Sequence, residues 1–176
     1  LREACLNKGF LYLKGHGVSA DLRAKVFDEA QSLFDLSINQ KKKIDLSHSN
    51  CFRGYEPMRA QTLEPGQPPD LKEGFYAGRE LTPDDPRVEA GKFNHGPNQW
   101  PEGLPGFREG IYRLYEAMLE FGPLLFRAFA IALDLPHDYF APLITKPMGQ
   151  LRVIHYPEQK NLSPDDEWGI GAHTDY

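Results

Sequence analysis

His173 and Asp175 stand two residues apart in Gly169-Ile170-Gly171-Ala172-His173-Thr174-Asp175-Tyr176. In an extended segment side chains alternate faces, so the imidazole and the carboxylate would point the same way and Thr174 the other. A neutral nitrogen donor beside a carboxylate is half of a metal site, two of the three ligands in the 2-His-1-carboxylate triad that holds non-haem Fe(II). The third ligand has to come from elsewhere. Taken alone, the same residues also read as a polar pair at an exposed strand end. Gly169 and Gly171 allow close backbone approach just before the pair.

An extended segment ending in Tyr156-Pro157 lies upstream of this pair. Gly149–Tyr156 reads as a strand, with Arg152, Ile154 and Tyr156 on one face and Leu151, Val153 and His155 on the other. His155 therefore lies on the face opposite to Arg152 and Tyr156. Further along the chain stand Gly9-Phe10-Leu11-Tyr12-Leu13-Lys14-Gly15-His16-Gly17, Arg53-Gly54-Tyr55 and Asp70-Leu71-Lys72-Glu73. With Leu151-Arg152-Val153-Ile154-His155-Tyr156-Pro157 and Ala172-His173-Thr174-Asp175 they make five ordered stretches. In these the chain resembles the isopenicillin N synthase-like family of Fe(II)- and 2-oxoglutarate-dependent dioxygenases.

The resemblance implies an α+β fold, an N-terminal helical region against a double-stranded β-helix (jelly-roll) core of which only the opening strands fall in this chain. It divides the sequence into a helical region with a proline-rich cover, residues 1–148, and the start of the jelly roll, residues 149–176. It implies that His173 and Asp175 bind iron, that Tyr156 helps hold 2-oxoglutarate, and that O2 is the oxidant. Arg152, Ile154 and, from the cover, Phe75 are the expected substrate contacts, although Arg152 reads equally as one partner of an ion pair with the cover. Many plant relatives carry asparagine where Ile154 stands. The implied reaction oxidises a C–H bond of a small molecule by hydroxylation, desaturation or cyclisation, with succinate and CO2 as co-products. A 2-oxoglutarate-independent oxidase and a non-catalytic binding protein of the same fold are the alternatives. The family's first strand would precede Leu1, and its distal histidine and Arg-x-Ser would follow Tyr176, so residues 1–176 alone are expected neither to fold stably nor to keep iron.

Composition bounds the rest. A chain of 176 residues, 40% hydrophobic, can bury one core. A mean hydropathy of −0.53 and the lack of an 18-residue apolar run argue against a membrane span. A formal charge of −5, with Lys41-Lys42-Lys43 as the only basic run, argues against a nucleic-acid surface, and that run reads as a solvated helix end. Cys5 and Cys51 are too few for a disulfide scaffold, read as buried apolar residues, and fit the reducing cytoplasm. The oligomeric state is left open.

The spacing predicts the end of a helix in Leu1–Lys8, a strand over Gly9–Lys14, and a turn at Gly15-His16-Gly17 in which His16 bonds nearby backbone. Ser19 caps a helix over about Ala20–Leu36, and a short helix follows over Asn39–Ile44. Nine of the 15 prolines fall between Cys51 and Pro105, which forbids long helices there. The aromatic residues in that stretch predict an ordered cover with a short strand at Glu73–Tyr76 and with Asp70, Lys72 and Glu73 as surface charges. From Gly106 to Asp134 apolar residues recur every three or four positions, predicting one helix of about 43 Å, bent at Pro123. Pro136–Phe140 adds a turn, and Pro157–Trp168 reads as a polar loop.

Overall fold

The computed structural model describes residues 1–62, 66, 68–159, 168–171 and 173. Elements run in the order α1 (Arg2–Asn7), α2 (Ala20–Phe34), α3 (Ile38–Lys42), β1 (Gly54–Glu56), β2 (Glu73–Gly78), α4 (Pro86–Glu89), α5 (Pro105–Ala132) and β3 (Gln150–His155). The strands form one antiparallel sheet in the order β1-β2-β3, with Tyr55 opposite Phe75 and Phe75 opposite Val153.

Local chemistry sets the helix boundaries. Ser19 accepts from the Leu22 amide at 3.1 Å and starts α2. Ser37 and Gln40 form a reciprocal capping box on α3, which satisfies two otherwise unpaired donors. At the far end of α5, Asp134 adopts φ 59° and the Leu135 amide returns to Ala130 O at 2.9 Å, closing the last turn. Pro123 lies inside α5, which continues through it as helix although the proline can give Leu119 O no hydrogen bond.

One face of the sheet packs on α2 and α5. Phe75, Tyr55 and Ala77 meet Leu33, Phe34, Phe107 and Ile111 there, each at most 7% exposed. The Phe75 ring stands edge-on to Phe107 at 4.9 Å and tilts against Trp100 at 5.8 Å. Burying such a side chain contributes roughly 1.5–3 kcal/mol. On α5 the apolar stripe is buried at Phe107, Ile111 and Tyr115, whereas Met118, Leu124 and Phe126 are exposed.

Several sequence expectations are corrected. Gly9–Lys14 forms no ladder: strands need a neighbour to bond, none lies alongside among the described residues, and Phe10 and Tyr12 are exposed. Cys5 is exposed, while Cys51 is buried as expected. Lys41 is buried, because its ammonium reaches inward to Phe34 O at 2.9 Å and Glu73 at 2.8 Å. Asp70, Lys72 and Glu73 are all buried rather than surface charges. The proline-rich stretch is ordered where described, but it supplies β1, β2 and part of the core rather than only a cover.

Candidate active site

β3 is the element that aims the site. Its pairing with β2 places Arg152 opposite Tyr76 and Ile154 opposite Gly74, on the face turned away from α2 and α5. Alternation puts Phe75, Val153 and His155 on the other face. Phe75 is 1% exposed and sealed in the core, so it is a packing residue and not the substrate contact expected from the sequence. His155 faces inward as expected, stacking on Phe34 at 5.2 Å and bonding Glu73 Oε1 at 2.9 Å.

Arg152 sits among polar partners. Its guanidinium pairs with Glu56, lies 4.7 Å over the Tyr76 ring, and approaches Gln61 at 3.4 Å. The ion-pair reading of this arginine is thus present, with a partner on β1. Burial first, and then the Glu56 charge, push the Tyr76 hydroxyl above its ordinary range. Ile154 is exposed on the same face.

Beyond β3, the segment 168–171 folds back onto the strand ends. A Cβ at Gly169 would lie 2.9 Å from the Tyr156 ring, so glycine is what lets this backbone lie against that tyrosine. Leu71 N–H donates to Trp168 O at 2.8 Å, and Gly171 N–H donates to Asp70 Oδ1 at 3.1 Å. Tyr156 and the approach to His173 are thereby brought together. His173 is exposed, and its Nδ1 lies 2.9 Å from Gly171 O. A carbonyl only accepts, so Nδ1 donates in this contact, and in the neutral tautomer Nε2 is the nitrogen suited to bind a metal. The donor chemistry fits a metal ligand. Asp175 lies outside the described residues, among which no three His, Cys, Asp or Glu side chains cluster to hold an ion.

His16 and His95 are engaged elsewhere. His16 Nδ1 accepts from the Val18 amide at 3.2 Å, the turn role expected of it, and His95 Nδ1 bonds Phe93 O at 2.7 Å.

Sequence reasoning missed the buried carboxylate Glu73. It takes Lys41 and the Tyr55 hydroxyl on Oε2, at 2.8 and 2.5 Å, and His155 on Oε1. Burial raises its pKa, but these three donors outweigh that and leave it below the usual range. The only signal was Glu73 standing beside Lys72 in a stretch otherwise bound for a strand.

Residues 1–103 match the family described as non-haem dioxygenase in morphine synthesis N-terminal, well over half of the chain. The chain belongs to the 2-oxoglutarate–Fe(II) oxygenase family. Over 184 aligned residues it is 39% identical to the 2-oxoglutarate-Fe(II) type oxidoreductase hxnY of Emericella nidulans, covering 100% of this chain and 52% of that protein. It is likewise 39% identical to the 2-oxoglutarate-dependent dioxygenase tropC of Talaromyces stipitatus, covering 100% of this chain and 56% of that one. Among solved structures, a full-length Neurospora crassa protein in complex with alpha-KG superposes with a TM-score of 0.69 at 25% identity, over 89% of this chain and 47% of that one. This family member therefore spans about half the length of the curated relatives it matches. No described helix is long and apolar enough to cross a membrane.

Proposed function

We propose that the protein carrying this chain is an Fe(II)- and 2-oxoglutarate-dependent dioxygenase that oxidises a C–H bond of a small molecule. Hydroxylation, desaturation or cyclisation would be the outcome, with succinate and CO2 as co-products. The observation that carries this is the packing of the 168–171 segment on Tyr156, with the Nδ1 of His173 bonded to Gly171 O of that same segment. Bound together, Fe(II) and 2-oxoglutarate supply the activation of O2. His173 and Asp175 hold two metal positions, and a second histidine of the family completes the triad. The Tyr156 hydroxyl donates to 2-oxoglutarate. Arg152 offers its guanidinium to a carbonyl or carboxylate of the substrate from a place fixed by Glu56 and Tyr76, and Ile154 supplies the apolar wall beside it.

In this reading β3 opens the jelly-roll barrel, whose sequence begins at residue 149. β3 is nevertheless laddered to β2 across that point, so the boundary marks where the barrel begins and not a separable domain. A cytoplasmic, small-molecule enzyme fits the two cysteines and the net charge of −5.

Anaerobic addition of Fe(II) and 2-oxoglutarate to the full-length protein is expected to give a visible charge-transfer band. His173→Ala and Asp175→Ala should each abolish it; a band that survives both sinks the proposal. Turnover without a keto acid and without succinate release would point instead to an oxidase of the same family.

A further inference from the structure

Asp70 and Lys72 form an ion pair of 2.6 Å in which each side chain is at most 4% exposed. A buried pair of this kind is weak evidence for stability, since apolar residues of the same volume do as well or better. Its presence asks for a further role, and the second oxygen of Asp70 shows where to look. Oδ2 takes Lys72, while Oδ1 accepts the Gly171 amide at 3.1 Å, from 101 positions along the chain. The neighbouring Leu71 amide donates to Trp168 O at 2.8 Å, so two hydrogen bonds lace residues 70–71 to the segment 168–171. Gly171 then passes the constraint on, because its carbonyl receives the Nδ1–H of His173 at 2.9 Å.

We infer that Asp70 is a positioning residue for the metal ligand His173. Lys72 holds the carboxylate, the carboxylate holds the Gly171 amide, and the Gly171 carbonyl fixes the tautomer and the ring direction of His173. Asp70 itself does not reach the metal. Groups that orient a ligand in this way typically carry a tenfold to hundredfold share of metal affinity. A merely structural carboxylate would need no bond to the residue two before the ligand. Nor would its loss change iron affinity once folding is restored. The inference rests on His173 being an iron ligand.

The test uses the full-length protein and reads anaerobic Fe(II) affinity by competition with a fluorescent chelator. Two double variants are compared: Asp70→Asn with Lys72→Met, and Asp70→Leu with Lys72→Met. Both remove the buried ion pair, but only the first keeps an oxygen for the Gly171 amide. The leucine variant is expected to bind Fe(II) about 10–100-fold more weakly than the asparagine variant, at matched melting temperature. Equal affinities overturn the inference. If either variant fails to fold, hydrogen exchange at the Gly171 amide of the unaltered apoprotein decides. Protection supports the bond to Asp70, and exchange at the rate of an unstructured glycine overturns it. His173→Ala separates the two levels: if it binds Fe(II) like the unaltered protein, the ligand reading falls and the inference with it. If it loses Fe(II) while the two doubles bind equally, the inference alone falls.

Discussion

Glu73 is a buried charge on which three donors from three different elements converge. Removing it leaves Phe34 O as the one hydrogen-bond acceptor described for the buried Lys41 ammonium, and Glu73→Ala is expected to cost ~3–5 kcal/mol, read as a lowered melting temperature. The pH dependence has two limbs. Glu73 is held below its ordinary value of 4.5, so its contribution is complete above that value and is lost as pH falls through the depressed folded value. Burial first, and then the bond to Glu73, push Tyr55 above its ordinary 10.0, so its contribution is complete below pH 10.0 and is lost as pH rises beyond it. Thermal unfolding across acid and alkaline pH should show both limbs, and the acid limb should flatten in Glu73→Gln with Lys41→Met. An acid limb of unchanged slope would remove Glu73 as its cause. None of this network was legible in the sequence, because a buried carboxylate looks the same in a string of letters as a solvated one. The facing of Arg152 and Ile154 was legible, because it follows from period 2 alone. Phe75 was misassigned since the strand pairing that sends it to the core comes from residues 78 positions away, at Val153.

At the scale of elements, the motif Arg53-Gly54-Tyr55 is explained by packing. Arg53 is 1% exposed and donates to Cys51 O, Phe52 O and Asn94 O, while burial lowers its pKa. Gly54 adopts φ 113°, and a Cβ there would lie 2.3 Å from Ile44 O. Gly54→Ala therefore combines a left-handed backbone with a backbone clash and is expected to destabilise by at least ~1–3 kcal/mol. Gly122→Ala, where a Cβ meets nothing within 4 Å and the backbone is helical, should instead stabilise by ~0.5–1 kcal/mol. Chemical denaturation of the two variants checks the contrast, and equal shifts would refute it. The helices were legible because α2 carries both its period and its Ser19 cap locally, and α5 carries its period and a proline in its first turn. β1 was not, being three residues whose identity as a strand depends on β2. Gly9–Lys14 shows the converse, since its apolar and aromatic composition suits a strand but composition cannot provide the partner that makes one.

For the molecule as a whole, the described surface exposes many large apolar side chains. A groove of about 580 Å³ runs between α2, α5, residues 13–18 and β3, lined by Val26, Phe27, Leu114, Met118, Leu151 and Val153 among others. β3 is an outer strand of the described sheet, and Phe10, Tyr12 and Leu124 stand exposed elsewhere on the described surface. An open apolar groove beside a strand edge that has no ladder partner among the described residues is a surface that other chains can join. Residues 1–176 expressed alone are therefore expected to bind a hydrophobic dye and to associate as concentration rises. A lysine on the edge strand should reduce that association, and Ile154→Lys is suited to the purpose because Ile154 is already exposed. Sedimentation velocity over a range of concentrations, with dye binding in parallel, measures both. A monomer at every concentration that leaves the dye dark would show that the groove closes on itself in solution, and the expectation drawn from its exposure would fail.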